Sequence, residues 1–220
     1  MKQRTIFIAA IVLLAAAFGG ATMYIKNMRA QQAQEAAARN REALVRFHSP
    51  TMGDANAPVH IVEFLDPACE TCAAFYPFVK DIMAKNPGKI RLTVRYAPFH
   101  RGSDEVVKAL EAARRQGKYW ESLEALLSTQ HVWTEHHTAI VDRVWQSLSN
   151  VGVNIERARS DMQLPDIDRA LQQDMADVRV LNVTKTPEFF VNGRPLPKFG
   201  DEELLELIEE ELAAAKHGKK

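Results

Sequence analysis

The chain has 220 residues, 46% hydrophobic and 25% charged, with 28 basic side chains balanced by 28 acidic ones. That is the profile of a globular domain carrying an appendage. A net charge of zero, with no clustered basic face, removes the electrostatic case for a nucleic-acid partner.

The start, Met1-Lys-Gln-Arg4, is followed by Thr5 to Ile25 without a charged residue. At 1.5 Å per helical residue this run reaches about 30 Å, the thickness of a bilayer core. Residues 1–25 therefore read as a single-pass anchor that meets the lipid bilayer through residues 5–25. Lys2 and Arg4 would hold the start in the cytoplasm, although Lys26 and Arg29 weaken the charge asymmetry. The alternative is a cleaved signal peptide with its apolar region from Ile6 to Ala17 and small residues at Ala15 and Ala17, or Gly19 and Ala21. The apolar run continues past those sites through Met23, Tyr24 and Ile25, which favours the anchor. Both readings export the remainder, to the periplasm or exterior face of the inner membrane, or as a soluble periplasmic protein after cleavage.

Residues 26–50 read as a helical spacer. Lys26 to Phe47 is rich in Ala, Gln, Glu and Arg, without Gly or Pro. Ala30, Ala33, Ala37, Asn40, Leu44 and Phe47 follow spacings of three and four, a seam shorter than a coiled coil needs. Turn formers between His48 and Pro58 break the helix, and a domain is expected over 51–216.

Val59 to Leu65 has the β-branched and aromatic content of a strand, and Asp66-Pro67 stops it. The only two cysteines follow at Cys69 and Cys72, after which Phe75, Phe78, Val79, Ile82 and Met83 fall on one helical face. Cys69 is thus expected at a helix N-terminus, where free N–H groups and the macrodipole favour a thiolate, with Cys72 one turn further in. A redox dithiol is the first reading. The pair supplies only half of a tetrahedral zinc site, and a structural bridge over so short a loop would constrain the unfolded chain little. Two inert thiols remain an alternative, although a helix start is a poor place to bury them.

Beyond an Asn86-Pro-Gly-Lys turn, Ile90 to Tyr96 alternates like a strand, so strand, helix and strand form a parallel βαβ unit with a right-handed crossover. Helices are predicted at 104–116, 119–128, 136–149 and 166–181, with no strand signal between 104 and 183. His131, His136 and His137 surround Trp133; a surface loop explains them at least as well as a metal, and no metal is assigned. Glu188 to Leu196 reads as two short strands joined by an Asn192-Gly193 turn. A last amphipathic helix spans 201–215 with Leu204, Leu205, Ile208 and Leu212 on one face, and Lys216 to Lys220 is a solvated tail.

This order of elements resembles the DsbA-like branch of the thioredoxin superfamily. The CxxC after a strand, the long helical insert and Thr186-Pro187 before an Asn-Gly hairpin carry the likeness. It implies an α/β thioredoxin fold, a mixed central sheet with βαβ and ββα halves and a helical insertion at about 104–183. It also implies an enzyme that forms, reduces or isomerises disulfides through Cys69 and Cys72. No cofactor beyond the Cys69–Cys72 disulfide is implied. The partners are proteins with thiols or disulfides and a membrane or periplasmic redox protein that resets the pair. In the family the proline matching Pro187 is cis and lies against the CxxC, and the backbone of the residue before it, here Thr186, pairs with the substrate.

Glu63 matches an acidic residue that the family places beneath its second cysteine. Burying a carboxylate costs several kcal/mol unless it is paired or neutralised, so a retained Glu63 is expected to relay the Cys72 proton with a raised pKa. Solvent exposure on an edge strand is the alternative. Glu70 and Thr71, the redox-tuning dipeptide, depart from the Pro-His of the strongest oxidants. With a carboxylate opposing the helix terminus, the Cys69 thiol is expected at about 6 to 7. Two other functions fit less of the sequence. One is a non-catalytic membrane-tethered binding module; the other is copper handling, for which Met52, His60 or the His131 loop would have to approach the thiols.

Overall fold

The computed structural model describes residues 2–217; the side chains of residues 2–12, of residue 217 and of several positions between 29 and 40 lie outside that description. The first helix, α1, runs from Lys2 to Leu44 as one element, so the expected anchor and spacer share a continuous backbone. Among the described residues no helix is long and apolar enough to cross a membrane. Residues 5–12 of the expected anchor, and Ala30, Ala33, Ala37 and Asn40 of the expected seam, lie outside the described side chains. The helix stops at Leu44, three residues before the expected end at Phe47, because the chain beyond it turns inward to meet buried charges.

Those charges belong to the central sheet and its covering helix. A short strand β1 (Thr51–Met52) lies within the segment read as turn formers. It pairs antiparallel with β3 (Ile90–Tyr96), which runs parallel to β2 (Val59–Leu65) as the βαβ reading requires. Helix α2 (Glu70–Lys85) makes the crossover between the parallel strands. Arg95 of β3 is fully buried, although alternation alone would leave it on a polar face. Its guanidinium donates to the Ala43 carbonyl at 2.5 Å, to Asp174 at 2.8 Å and to Asp177 at 2.6 Å. Arg46 forks onto Asp177 and His48 bonds Asp174 at 2.6 Å. This ion cluster fixes the exit of α1 against the domain, and each charge has partners, as burial demands.

The helical insertion consists of α3 (Ser103–Arg114), α4 (Tyr119–Ser128), α5 (Gln130–Trp133), a two-strand hairpin of β4 (Thr134–Glu135) and β5 (Thr138–Ala139), then α6 (Val141–Asn150), α7 (Ile155–Asp161) and α8 (Pro165–Val180). Two expectations fail here. The helix predicted for 136–149 begins only at Val141, and the region is not free of strands. Both follow from His136 and His137, whose φ angles of 48° and 59° are left-handed and incompatible with an α-helix. Helix α7, absent from the expected set, starts at Asn154, whose side chain accepts from the Arg157 N–H as an N-cap.

The chain returns to the sheet as β6 (Glu188–Val191), antiparallel to β2, and β7 (Arg194–Pro195). Asn192 and Gly193 both adopt positive φ, the conformation a two-residue hairpin requires. The sheet order is β1-β3-β2-β6-β7, which leaves β2 in the centre. Helix α9 (Asp201–His217) closes the fold and buries Leu204, Leu207 and Ile208, whereas Leu205, expected on that face, is exposed. The mixed sheet with βαβ and ββα halves and a helical insertion is therefore present.

Candidate active site

The site forms where the central strand ends. Asp66, the residue after β2, is fully buried, and its carboxylate accepts from the N–H groups of Ala68, Phe99 and His100 and from the Ser103 hydroxyl. Its carbonyl accepts from the Cys69 N–H at 3.0 Å, closing the turn into α2. Gln130 of α5 holds the same turn through the Pro67 carbonyl at 2.7 Å. The chain from strand to cysteine is thus pinned from two sides before the helix begins.

Cys69 is the N-cap of α2, in extended conformation, and Cys72 lies one turn inside the helix. Cys69 keeps 6% of its surface exposed and Cys72 none, the expected order of access. The Thr186–Pro187 bond is cis, and Cys69 Sγ lies 3.3 Å from the Thr186 carbonyl oxygen, to which the protonated thiol can donate. Pro187 is buried where β6 begins. Residues 117 positions apart thereby share one small surface with the two sulfurs. Phe75 of α2 stacks on Phe199 and Phe189 with ring centroids 4.8 and 5.8 Å apart, an aromatic support behind this surface.

The two thiols differ in acidity. A hydrogen bond from the Cys72 thiol lowers the Cys69 pKa to about 5, with help from the Thr186 side chain and the N–H groups of Cys72 and Thr71, and against desolvation by burial. This is below the 6 to 7 expected from the helix terminus and Glu70, because the neighbouring thiol is the largest lowering influence. Burial pushes the Cys72 thiol up, and its bond to Cys69 and the nearby Glu63 charge push it further. One nucleophilic thiolate and one protonated thiol is the stable state of the pair at neutral pH.

Glu63 sits in β2, between Val94 of β3 and Phe189 of β6, and is fully buried. The edge-strand alternative is excluded, since β2 is central. Among the described residues neither carboxylate oxygen has a hydrogen-bond partner. Desolvation, then the Cys69 thiolate charge, raises its pKa to about 8. A carboxyl group poised near neutrality and within electrostatic reach of both thiols can take up and return a proton.

Glu70 and Thr71 are exposed at the first turn of α2. Sequence reasoning passed over three residues at this mouth. Asp66 has the local signature only of a strand stop, and no local pattern marks His100. His137 was read as part of a loop, yet its Nδ1 lies 4.0 Å from Glu70 Oε1. Among the described residues no group of three or more His, Cys, Asp or Glu side chains could hold a metal ion. His60, one of the copper candidates, bonds Thr93 at 2.7 Å near the opposite end of β2.

A family model described as Thioredoxin, Thioredoxin_4, matches residues 47–210. This chain belongs to that thioredoxin family. A thioredoxin-like oxidoreductase from Silicibacter pomeroyi superposes with a TM-score of 0.68 at 27% identity, covering 80% of this chain and 98% of that one. The thiol-disulfide exchange protein alpha-DsbA2 of Wolbachia pipientis gives 0.69 at 20% identity, over 83% and 97%. Oxidised BdbD of Bacillus subtilis gives 0.66 at 22% identity, over 76% and 94%. The DsbA-like resemblance of the sequence is therefore present in three dimensions. The Na(+)/H(+) antiporter NhaA of Herminiimonas arsenicoxydans is 28% identical over 144 residues, 66% of this chain. The match covers 22% of that antiporter, so this thioredoxin chain spans about a fifth of the curated relatives it matches.

Proposed function

We propose that this protein is an exported thiol-disulfide oxidoreductase that forms, reduces or isomerises disulfides in other proteins. The observation that carries the reading is Cys69 at the helix start, in contact with the Thr186 carbonyl beside cis-Pro187, with Cys72 one turn inside the helix and the buried Glu63 within electrostatic reach of both thiols. The Cys69–Cys72 pair is itself the redox group, with no added cofactor.

In the oxidising direction a substrate thiolate attacks Cys69 Sγ. The substrate–Cys69 bond forms, the Cys69–Cys72 bond breaks, and the electron pair leaves on Cys72. Cys72, whose burial favours the protonated thiol, takes a proton that Glu63 can supply. The substrate's second thiolate then attacks its own sulfur in the mixed disulfide and releases the Cys69 thiolate. Two electrons have passed from substrate to protein, and a redox partner must remove them for another cycle. Run backwards, the same steps reduce a substrate disulfide.

On this reading the Thr186 backbone, beside cis-Pro187, receives the substrate peptide, and Glu70 and Thr71 border the same mouth. Reduction of insulin and refolding of reduced ribonuclease by the purified protein test the activity. A protein inert in both, yet retaining partners on a column, would be a binding module instead.

The uncharged run from Thr5 to Ile25 supports export and tethering of the domain at the inner membrane, facing the periplasm or exterior. Cell fractionation should find the full-length chain in the membrane, resistant to alkaline carbonate. A soluble product beginning near Phe18 or Thr22 would mean that the segment is a cleaved signal.

A further inference from the structure

Three segments distant in the chain converge at the mouth of the site. Glu70 adjoins Cys69 at the start of α2. His100 comes from the loop after β3 and is anchored inward, its Nδ1 on the Asp66 carboxylate at 2.7 Å. His137 comes from the β4–β5 turn, its ring centroid 5.9 Å from that of His100 and its Nδ1 4.0 Å from the Glu70 carboxylate. The Glu70 and His137 side chains are 72% and 71% exposed, open to solvent and to an arriving substrate.

The position of His137 is built into the fold. Its φ of 59° belongs to the tight β4–β5 turn, and β5 is docked on the loop that carries His100. The Ala139 N–H donates to the Arg101 carbonyl at 2.8 Å, and Arg101 bridges to Thr138. Gly102 permits this approach, since a Cβ there would lie 2.8 Å from the Ala139 carbonyl oxygen. On the other side the Ile140 N–H bonds the carbonyl of Trp133, which is fully buried. The helical insertion thus holds an imidazole in front of the first residue of the CxxC dipeptide.

We propose that His137 is a positioning residue for the Cys69 thiolate, acting by pairing with the Glu70 carboxylate. An unopposed Glu70 charge repels a thiolate on the adjacent residue; the Glu70 carboxylate, 4.0 Å away, holds the exposed His137 ring at the mouth, where an imidazolium offsets that repulsion, and Glu70→Gln releases the ring. The groups facing His137 are Glu70 of α2 and His100 of the β3–α3 loop, with Arg101 behind it. Glu135 of its own hairpin is engaged by Arg143 of α6. The consequence for redox strength rests on the oxidoreductase reading; the pairing itself does not.

Thiolate absorbance against pH, on the reduced full-length protein, tests this as a cycle over His137→Gln, Glu70→Gln and the double variant. The parent midpoint is expected near 5. His137→Gln should raise it by about half a unit, about a threefold fall in the acid constant, as for an exposed charge pair. In the Glu70→Gln background the same substitution should move it clearly less, and His137→Lys should restore the parent value. No shift in His137→Gln, or an equal shift in both backgrounds, would overturn the proposal. Insulin reduction on the same samples separates the two readings. An inert parent with the expected coupling refutes the oxidoreductase assignment and upholds the pairing; an active parent without coupling does the reverse.

Discussion

With Cys72 replaced by alanine, the reduced protein should capture substrate disulfides and fail to release them. The Cys69 thiolate attacks, a mixed disulfide forms, and no resolving thiol remains, because the chain has only two cysteines. Turnover in insulin reduction should fall to the uncatalysed background while covalent adducts accumulate on non-reducing gels and dissolve on adding dithiothreitol. With a pKa of about 5, Cys69 is almost wholly ionised at pH 7, against about 3% for an ordinary thiol, a gain of about thirtyfold in thiolate. The substitution also removes the hydrogen bond that most lowers this pKa, so the variant should titrate above 5. Cys69→Ser should give no adducts, since Cys72 has no exposed surface and burial holds it protonated. Adducts at Cys72, or turnover surviving without it, would refute the assigned roles.

Replacement of Glu63 by glutamine should change how stability depends on pH. In the unfolded chain this carboxyl ionises near its ordinary 4.5; in the folded, reduced protein burial holds it protonated up to about 8. Below 4.5 both states are protonated and the group carries no linkage term. As pH rises from 4.5 towards 8 only the unfolded state loses the proton, so the wild type loses about 1.4 kcal/mol per pH unit from this group. Denaturant unfolding of the reduced forms should therefore find the variant gaining about 3 kcal/mol on the wild type between pH 4.5 and pH 7. The glutamine amide, like the neutral acid, is buried without partners, so the pH-dependent difference is the informative quantity rather than the absolute stability. The gain should shrink in the oxidised protein, where the Cys69 thiolate charge that helps raise this pKa is gone. Substrate release should slow in the same variant, as a neutral amide carries no proton to Cys72. Parallel pH profiles with unchanged turnover would remove Glu63 from the mechanism.

Part of this architecture is encoded in local chemistry. The periods of Val59–Leu65 and of the residues after Cys72, the Asn86-Pro-Gly-Lys turn and the Asn192-Gly193 hairpin act over a few residues. They placed the βαβ unit and the closing hairpin. The order of those elements, with CxxC and Thr186-Pro187, identified the fold family and drew attention to Glu63. Tertiary structure alone decided the rest. It made β2 the central strand, so that Glu63 lost both water and hydrogen-bond partners. It buried Arg95 among carboxylates 79 and 82 positions away. It turned Leu207 rather than Leu205 inward and bent residues 134–139 into a hairpin where helix was expected. The Cys69 acidity was under-read for the same reason, since the Cys72 thiol and Thr186 act on it only once the helix and β6 are in place. Contacts such as His100 to Asp66 and His137 to Glu70 leave no periodic trace, because their spacing is set by the whole fold between them rather than by helical or strand geometry.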